Sequence, residues 1–284
     1  MQSSIPSANF KLTRVGVTNV KKLVHVKRPN REEIITLVVT MDLFVDLPAT
    51  QKGSHMSRNI EIAEEIVEQS ITKPITDLES LCAKIAKKLL EKHQYATRAE
   101  VKAYADYFLE RINPSGVKAL EPYKLIAESR ANDKGGLKKL IGVQVIGMTT
   151  CPCAMEITKK LGEYNKSLPS PTHNQRNIST LLIEVPEDCQ DIDADDLIEI
   201  VESSLSSPTY SLLKRKDEGK IVLDAHKKPK FVEDVVRDML QAVLKKYKHL
   251  PDNVIVIARS ESEESIHKHN AFAERITTLG ELRK

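Results

Sequence analysis

The chain contains no tryptophan and only 4% aromatic residues, so the stacked aromatic platforms that grip single-stranded nucleic acid are excluded. An excess of one charge is also missing. Lys and Arg number 43 against 40 Asp and Glu, a formal charge of +3, which gives neither a nucleic acid nor a membrane surface an electrostatic reason to bind. Four cysteines in 284 residues are too few for a disulfide scaffold. No apolar run approaches the roughly 20 residues that span a bilayer. The opening MQSSIPSANFKLTRVGVTNV has no basic stretch leading into an apolar one, as a secretory signal would. The expectation is a cytoplasmic chain with free thiols. Its 40% hydrophobic content supports an ordinary core, over a length that suits two domains or one large one.

The clearest periodicity runs from Glu33 to Leu47, where Ile35, Leu37, Val39, Met41, Leu43, Val45 and Leu47 occupy alternate positions. Period two predicts a half-buried strand, roughly 50 Å long at about 3.3 Å per residue. Val15 to Val26 reads as a preceding strand, joined by the polar link KRPNRE into an antiparallel hairpin. Two helices follow. One is marked by Ile60, Ala63, Ile66, Val67 and Ile71, the other by Leu78, Leu81, Cys82, Ile85 and Leu89. Pro74 separates them, and Thr76 to Glu79 has the form of a capping box. Ala99 to Phe108 is a strand candidate, and ESRANDKGG (128–136) a linker or hairpin tip. The order then repeats. Strands are expected over Leu140 to Thr149, Ile178 to Val185 and Asn253 to Ala258, with one helix capped by Asp193 and another from Val232 to Leu244. The class is α+β, antiparallel sheets with helices packed on one face, divided as 1–130 and 131–284.

Four segments carry polar chemistry that no regular element requires. Asp46 to Arg58 ends a strand and begins a helix, with Ser57 as a possible N-cap and Lys52, His55 and Arg58 able to meet an anion; on this segment alone a capped polar turn is the favoured explanation. Cys151-Pro152-Cys153 has the wrong spacing for a structural four-cysteine zinc site, since Cys82 and Cys189 stand alone. One sulfur could bind a metal while the other faces a substrate, or both could be buried core cysteines. His173, in PTHNQR, is an available ligand. In ESEESIHKHN (261–270), His267 could transfer protons, whereas Glu263 and Lys268 read as a solvated helix start. Lys214 to Glu218 is a charge run of the kind that usually faces water, and Glu233 suits the first turn of a helix. Cys, His and Glu together suit Zn²⁺ or Fe²⁺. Three protein ligands would leave a position for water, so the residues alone support a metal-dependent hydrolase.

Taken in order, VGVTNV (15–20), LPATQKGSHMSR (47–58), CPCAMEI (151–157), HNQR (173–176), YSLLKRKDE (210–218), PKFVEDVVR (229–237) and ESIHKHNA (264–271) resemble the type IB GTP cyclohydrolases. The resemblance spans residues 15–271 and implies a bimodular tunnelling fold. It also implies a homo-oligomer, a tetramer, with active sites at subunit interfaces. It implies hydrolysis of GTP at C8 of guanine with loss of formate, and one divalent metal per subunit, Fe(II) foremost, with Zn(II) or Mn(II) as alternatives. Carried over by motif, Cys151, His173 and Glu218 would ligate the metal. Cys153 and His267 would serve the chemistry, with Glu264 orienting His267. Glu233 would accept two N–H donors from the guanine edge. Lys52, His55, Arg58, Arg176, Lys214 and Arg215 are candidates for the triphosphate by charge.

The connection from Cys151 to His173 (173 − 151 = 22 residues) and the string CPCAME in place of CPCSKE resemble the archaeal branch of that family. That branch implies 7,8-dihydroneopterin 2′,3′-cyclic phosphate as product, for methanopterin-type cofactors. The bacterial branch implies the triphosphate for folate. Two other readings stand beside these: a tunnelling-fold protein that binds a purine or pterin without turnover, and a purely structural metal site.

Overall fold

The computed structural model describes residues 2, 4–27, 33–162, 168–186 and 192–284. Along the chain run β1 (Leu12–Lys27), β2 (Ile34–Leu47), α1 (Met56–Thr72), α2 (Leu78–Lys92), β3 (Arg98–Ile112), β4 (Lys118–Asn132) and β5 (Leu137–Thr150). Then come α3 (Pro152–Leu161), β6 (Asn174–Glu184), α4 (Ala194–Ser204), β7 (Ser207–Pro208), α5 (Arg215–His226), α6 (Val232–Lys246), β8 (Ile255–Glu263), β9 (Ala271–Thr278) and α7 (Leu279–Leu282). The strands form a nine-stranded sheet of hydrogen-bonded order β1-β2-β3-β4-β5-β6-β8-β9, with β7 on β5. β1 pairs with β2, β2 with β3, β6 with β8 and β8 with β9, each antiparallel.

The chain falls into two compact units. One holds Met1–Asp106, Leu125–Ile141 and Glu184–Cys189, the other Tyr107–Lys124, Gly142–Ile183 and Gln190–Lys284. These units are discontinuous along the chain, because β3, β4 and β5 each give residues to both.

In the first unit the alternation of β2 does what its period requires. Val39, Met41, Leu43, Val45 and Leu47 are buried, while Val38 is 59% exposed. Helices α1 and α2 cover the buried face, and Leu81, Ile85 and Leu89 of α2 are fully enclosed, each worth about 1.5–3 kcal/mol over exposure. The string VGVTNV turns out to be backbone engineering. A Cβ on Gly16 would stand 1.8 Å from the Leu43 carbonyl oxygen, so only glycine permits this approach of β1 to β2. Two residues beyond Val17 the register slips, and Asn19 takes φ 59°, its N–H bonded to Asp42 Oδ1 at 2.9 Å. That is a β-bulge using the residue type that best tolerates left-handed backbone after glycine.

Local capping differs from the sequence reading. Helix α1 begins at Met56 with His55 as N-cap, so Ser57 lies inside it. Helix α2 is capped by Asp77, which accepts the Ser80 N–H, while Thr76 donates to Asp77 and Glu79 is buried in the first turn. Residues 128–136 are the end of β4 and a tight turn into β5, hence a hairpin tip and not a linker. Most of the link KRPNRE and all of Cys189 lie outside the described residues. In the second unit α4 packs on α6, and α6 on β8 and β9. Asp193 caps α4 as expected, accepting the Asp195 N–H at 2.9 Å.

Candidate active site

Three strand ends in the second unit present the chemistry-bearing residues. A buried polar ladder fixes their register. Asn177 Nδ2 donates to Ser260 and Ser262 at 2.8 and 2.9 Å, Ser179 donates to Asn177 at 2.6 Å, and Thr149 meets Ser262 at 3.0 Å. These partners satisfy one another out of water, and mismatched registers would leave them unpaired. With Arg176 opposite Glu263, the residues before β6 and after β8 emerge at one edge.

Cys151 is the N-cap of α3, with Pro152 at the helical position where a missing N–H costs nothing. Its sulfur accepts the Ala154 N–H at 3.4 Å and so sits at the partial positive charge of the helix start. The core-cysteine reading does not hold, because Cys151 is only partly buried and Cys153 is exposed. The Cys151 N–H donates to the His173 carbonyl at 3.1 Å, and the Thr172 hydroxyl donates to the Cys151 carbonyl at 2.7 Å, locking the two candidate ligands side by side. His173 Nδ1 lies 3.0 Å from Gln175 Oε1. If the ring donates there, Nε2 keeps its lone pair, the usual arrangement of a metal-binding imidazole.

The loop after β8 brings the rest. Glu264 Oε2 is 3.7 Å from His173 Nδ1, and the His267 ring centroid is 6.4 Å from that of His173. Glu264, expected to orient His267, lies against His173. His269, given no role in the sequence analysis, stacks on His267 at 5.1 Å; the only signal for it was its place two residues on in HKHN. The loop is not helical, so Glu263 ends β8 and Lys268 is an exposed loop residue.

Glu218 stands in the first turn of α5, exposed, directly after buried Asp217. The charge run is thus a helix start. Ser115 and the Lys214 N–H hydrogen-bond to Asp217 and hold its carboxyl below the usual carboxylate range. Among the described residues no three His, Cys, Asp or Glu side chains are arranged to hold a metal ion, so Glu218 does not meet Cys151 and His173 in this arrangement. Glu233 is in the first turn of α6 and exposed, as expected. Arg176 is 4.0 Å from Glu263, and Lys214 and Arg215 are exposed at the start of α5.

Lys52, His55 and Arg58 belong to the first unit. Their loop is held from beneath by a buried network. His93, fully enclosed, lies 2.7 Å from Asn59 Oδ1 and 2.9 Å from the Tyr95 hydroxyl, which reaches Ser54 at 2.7 Å. Burial, reinforced by the charges of Arg58 and His55, lowers the His93 pKa to about 4, so the ring is neutral near pH 7. The Lys52 and Gly53 N–H groups donate to Ser4 and Gln2, and Arg58 Nη1 to the Lys92 carbonyl.

The fold is that of the tunnelling-fold proteins. Over 94% of this chain and 93% of the other, it matches the uricase from Arthrobacter globiformis with a TM-score of 0.56 at 7% identity. The uricase from Bacillus fastidious matches over 98% and 96% with a TM-score of 0.53 at 10% identity. At such identities the likeness concerns the fold alone.

Sequence similarity is more particular. The family model of type I GTP cyclohydrolase folE2 matches residues 1–273, and the chain belongs to that family of enzymes. It is 48% identical to a GTP cyclohydrolase MptA of Methanobrevibacter smithii, covering 100% of this chain and 96% of that protein. To those of Methanothermobacter thermautotrophicus and Methanosarcina mazei it is 47% and 44% identical, covering 99% and 100% of this chain and 94% and 96% of those proteins.

Proposed function

We propose that this chain hydrolyses GTP at C8 of the guanine, releases C8 as formate, and yields 7,8-dihydroneopterin 2′,3′-cyclic phosphate for methanopterin-type pterin synthesis, the α-phosphate being kept as the cyclic ester and the β- and γ-phosphates leaving as diphosphate. The observation that carries the reading is the convergence of Cys151, His173, Glu264 and His267 from three separate segments on one edge. Full-length similarity to proteins named GTP cyclohydrolase MptA supports it.

The donor set of one thiolate, one imidazole and one carboxylate suits a divalent cation such as Fe²⁺, with Zn²⁺ or Mn²⁺ able to take the same place. Cys151, His173 and Glu218 would hold it. When bound, the cation supplies the Lewis-acid charge that makes a water nucleophilic near neutral pH. His267, exposed at the loop tip beside His173, carries protons to the purine nitrogens as the imidazole ring opens. Cys153, exposed in the first turn of α3, hydrogen-bonds the tetrahedral centre formed at C8. Glu233 fixes the guanine edge, and the cationic side chains at Arg176, Lys214 and Arg215 of the second unit hold the triphosphate.

The working form is a homo-oligomer, a tetramer, in the cytoplasm. No helix among the described residues is long and apolar enough to cross a membrane. Helix α3 buries none of its residues, with Leu161 81% exposed, and on β9 Phe272 and Ile276 are 56% and 59% exposed. Apolar surface of this kind beside a site supports coverage by a second copy.

Anaerobic turnover of GTP with Fe²⁺, followed by mass analysis of the product, tests the reading. Formate and the cyclic phosphate are expected, and both disappear in Cys153→Ala and His267→Ala. Triphosphate product would move the chain to the folate-type reaction. Full activity after chelation would remove the metal, and guanine-dependent stabilisation without formate would leave only a binding protein.

A further inference from the structure

Helices α3 and α6, both in the second unit, start from one hydrogen bond. The Lys230 N–H donates to the Thr150 carbonyl at 3.0 Å. Thr150 stands immediately before Cys151, the N-cap of α3, and Lys230 immediately before Phe231, the N-cap of α6. Counted from that bond, Cys153 (153 − 150 = 3) and Glu233 (233 − 230 = 3) take the same place, the second residue of each helix. Both are exposed.

Side chains brace this joint. Thr150 is fully buried, and every polar group it carries is used. Its N–H donates to Ser206 Oγ at 3.3 Å, its hydroxyl donates to the Ala225 carbonyl at 3.0 Å, and its carbonyl accepts from Lys230. Lys230 turns its ammonium into the fold, where Nζ donates to the Ser204 carbonyl at 2.8 Å and to Asp238 at 2.6 Å, leaving the side chain 18% exposed. Ser204 closes α4 and Ala225 lies in the last turn of α5, so the ends of four helices meet at these two residues. In the reaction proposed above, Cys153 acts at C8, while Glu233 holds N1 and the 2-amino group at the opposite end of the purine. The separation of the two side chains must match that ring, and a misplacement of about 1 Å can cost roughly 100-fold in rate.

We propose that Thr150 and Lys230 are positioning residues that set the separation of Cys153 from Glu233, and so make the reaction selective for guanine. The proposal rests on the reading of Glu233 as the holder of the guanine edge and of Cys153 as the group at C8. Neither positioning residue need touch the nucleotide; they act through the first turns of α3 and α6.

The test compares GTP with inosine triphosphate, which lacks only the 2-amino group, as substrates of the full-length protein. Formate release is followed anaerobically with Fe²⁺ in wild type, Glu233→Gln, Lys230→Met and Thr150→Val. Lys230→Met and Thr150→Val are expected to lower kcat/KM for GTP about 10- to 100-fold and to bring the preference for GTP over inosine triphosphate down toward that of Glu233→Gln. Lys230→Arg and Thr150→Ser keep the side-chain donors and should keep the preference. A wild-type preference in both Lys230→Met and Thr150→Val, with Glu233→Gln impaired, would overturn the joint alone. Equal losses on the two nucleotides, as general destabilisation produces, would overturn it too. An unchanged preference in Glu233→Gln would instead remove the guanine reading on which the proposal depends.

Discussion

Replacing Asp46 by asparagine should lower stability by an amount the structure lets one work out. Asp46 closes β2 just before the loop bearing Lys52, His55 and Arg58, and it is 3% exposed. Oδ1 accepts the N–H groups of Thr97 and Arg98 at 2.7 and 2.8 Å, while Oδ2 accepts the Thr97 hydroxyl at 2.6 Å and meets Lys11 Nζ at 2.8 Å. Burial pushes the carboxyl pKa up, but the donors from Lys11, Thr97 and Arg98 together outweigh it and lower the pKa from 3.8 to about 2. A group ionised more readily in the fold stabilises it above the unfolded pKa, and loses that contribution as pH falls through the folded one. A lowering of this size corresponds to roughly 2 kcal/mol at pH 7, about half of that at pH 3, and little below pH 2. Asparagine keeps one acceptor oxygen but turns an amide N–H₂ toward Thr97 and Lys11. Asp46→Asn should therefore cost about 2 kcal/mol at pH 7, with the gap to wild type narrowing by pH 3. Urea unfolding followed by circular dichroism at matched protein concentration measures both. A gap under about 0.5 kcal/mol at pH 7, or one that does not narrow with acid, would refute the reasoning.

Gly16→Ala should force a shift of β1 against β2 and cost about 1–3 kcal/mol, since its new methyl meets Leu43 and Phe44 backbone atoms; an unchanged thermal midpoint would contradict this. Glu79 is buried with Oε2 unpartnered, and burial, aided by the charge of Asp77, raises its pKa from 4.5 to about 8. Between those values the fold keeps a proton that the unfolded chain has released, so wild-type stability falls as pH rises through the window and levels off above it. Glu79→Gln should flatten that slope between pH 5 and 8 in urea titrations, and parallel profiles for the two proteins would count against it. Cys153→Ala should abolish formate release while leaving Co²⁺ binding intact; loss of both together would place Cys153 among the ligands.

What the sequence determined is whatever repeats along a single element. Period two gave β2 to within a residue, and apolar spacing gave α2, α4 and α6, because a buried face imposes its period on consecutive side chains. The ordered motifs also identified the residue types of the site. Elements without a clean apolar period escaped notice. Strand β4 carries charges on its open face, β9 buries only one of its eight residues, and α3 buries none. Helix α5 read as a charge run because its hold on the fold comes from Asp217, Thr150 and His226 and not from an apolar stripe. Only the tertiary structure decided that Glu264 lies against His173 and that His269 stacks on His267. Such pairings depend on strand register and on the buried hydrogen bonds that enforce it, and these join residues about a hundred positions apart, which no local pattern encodes.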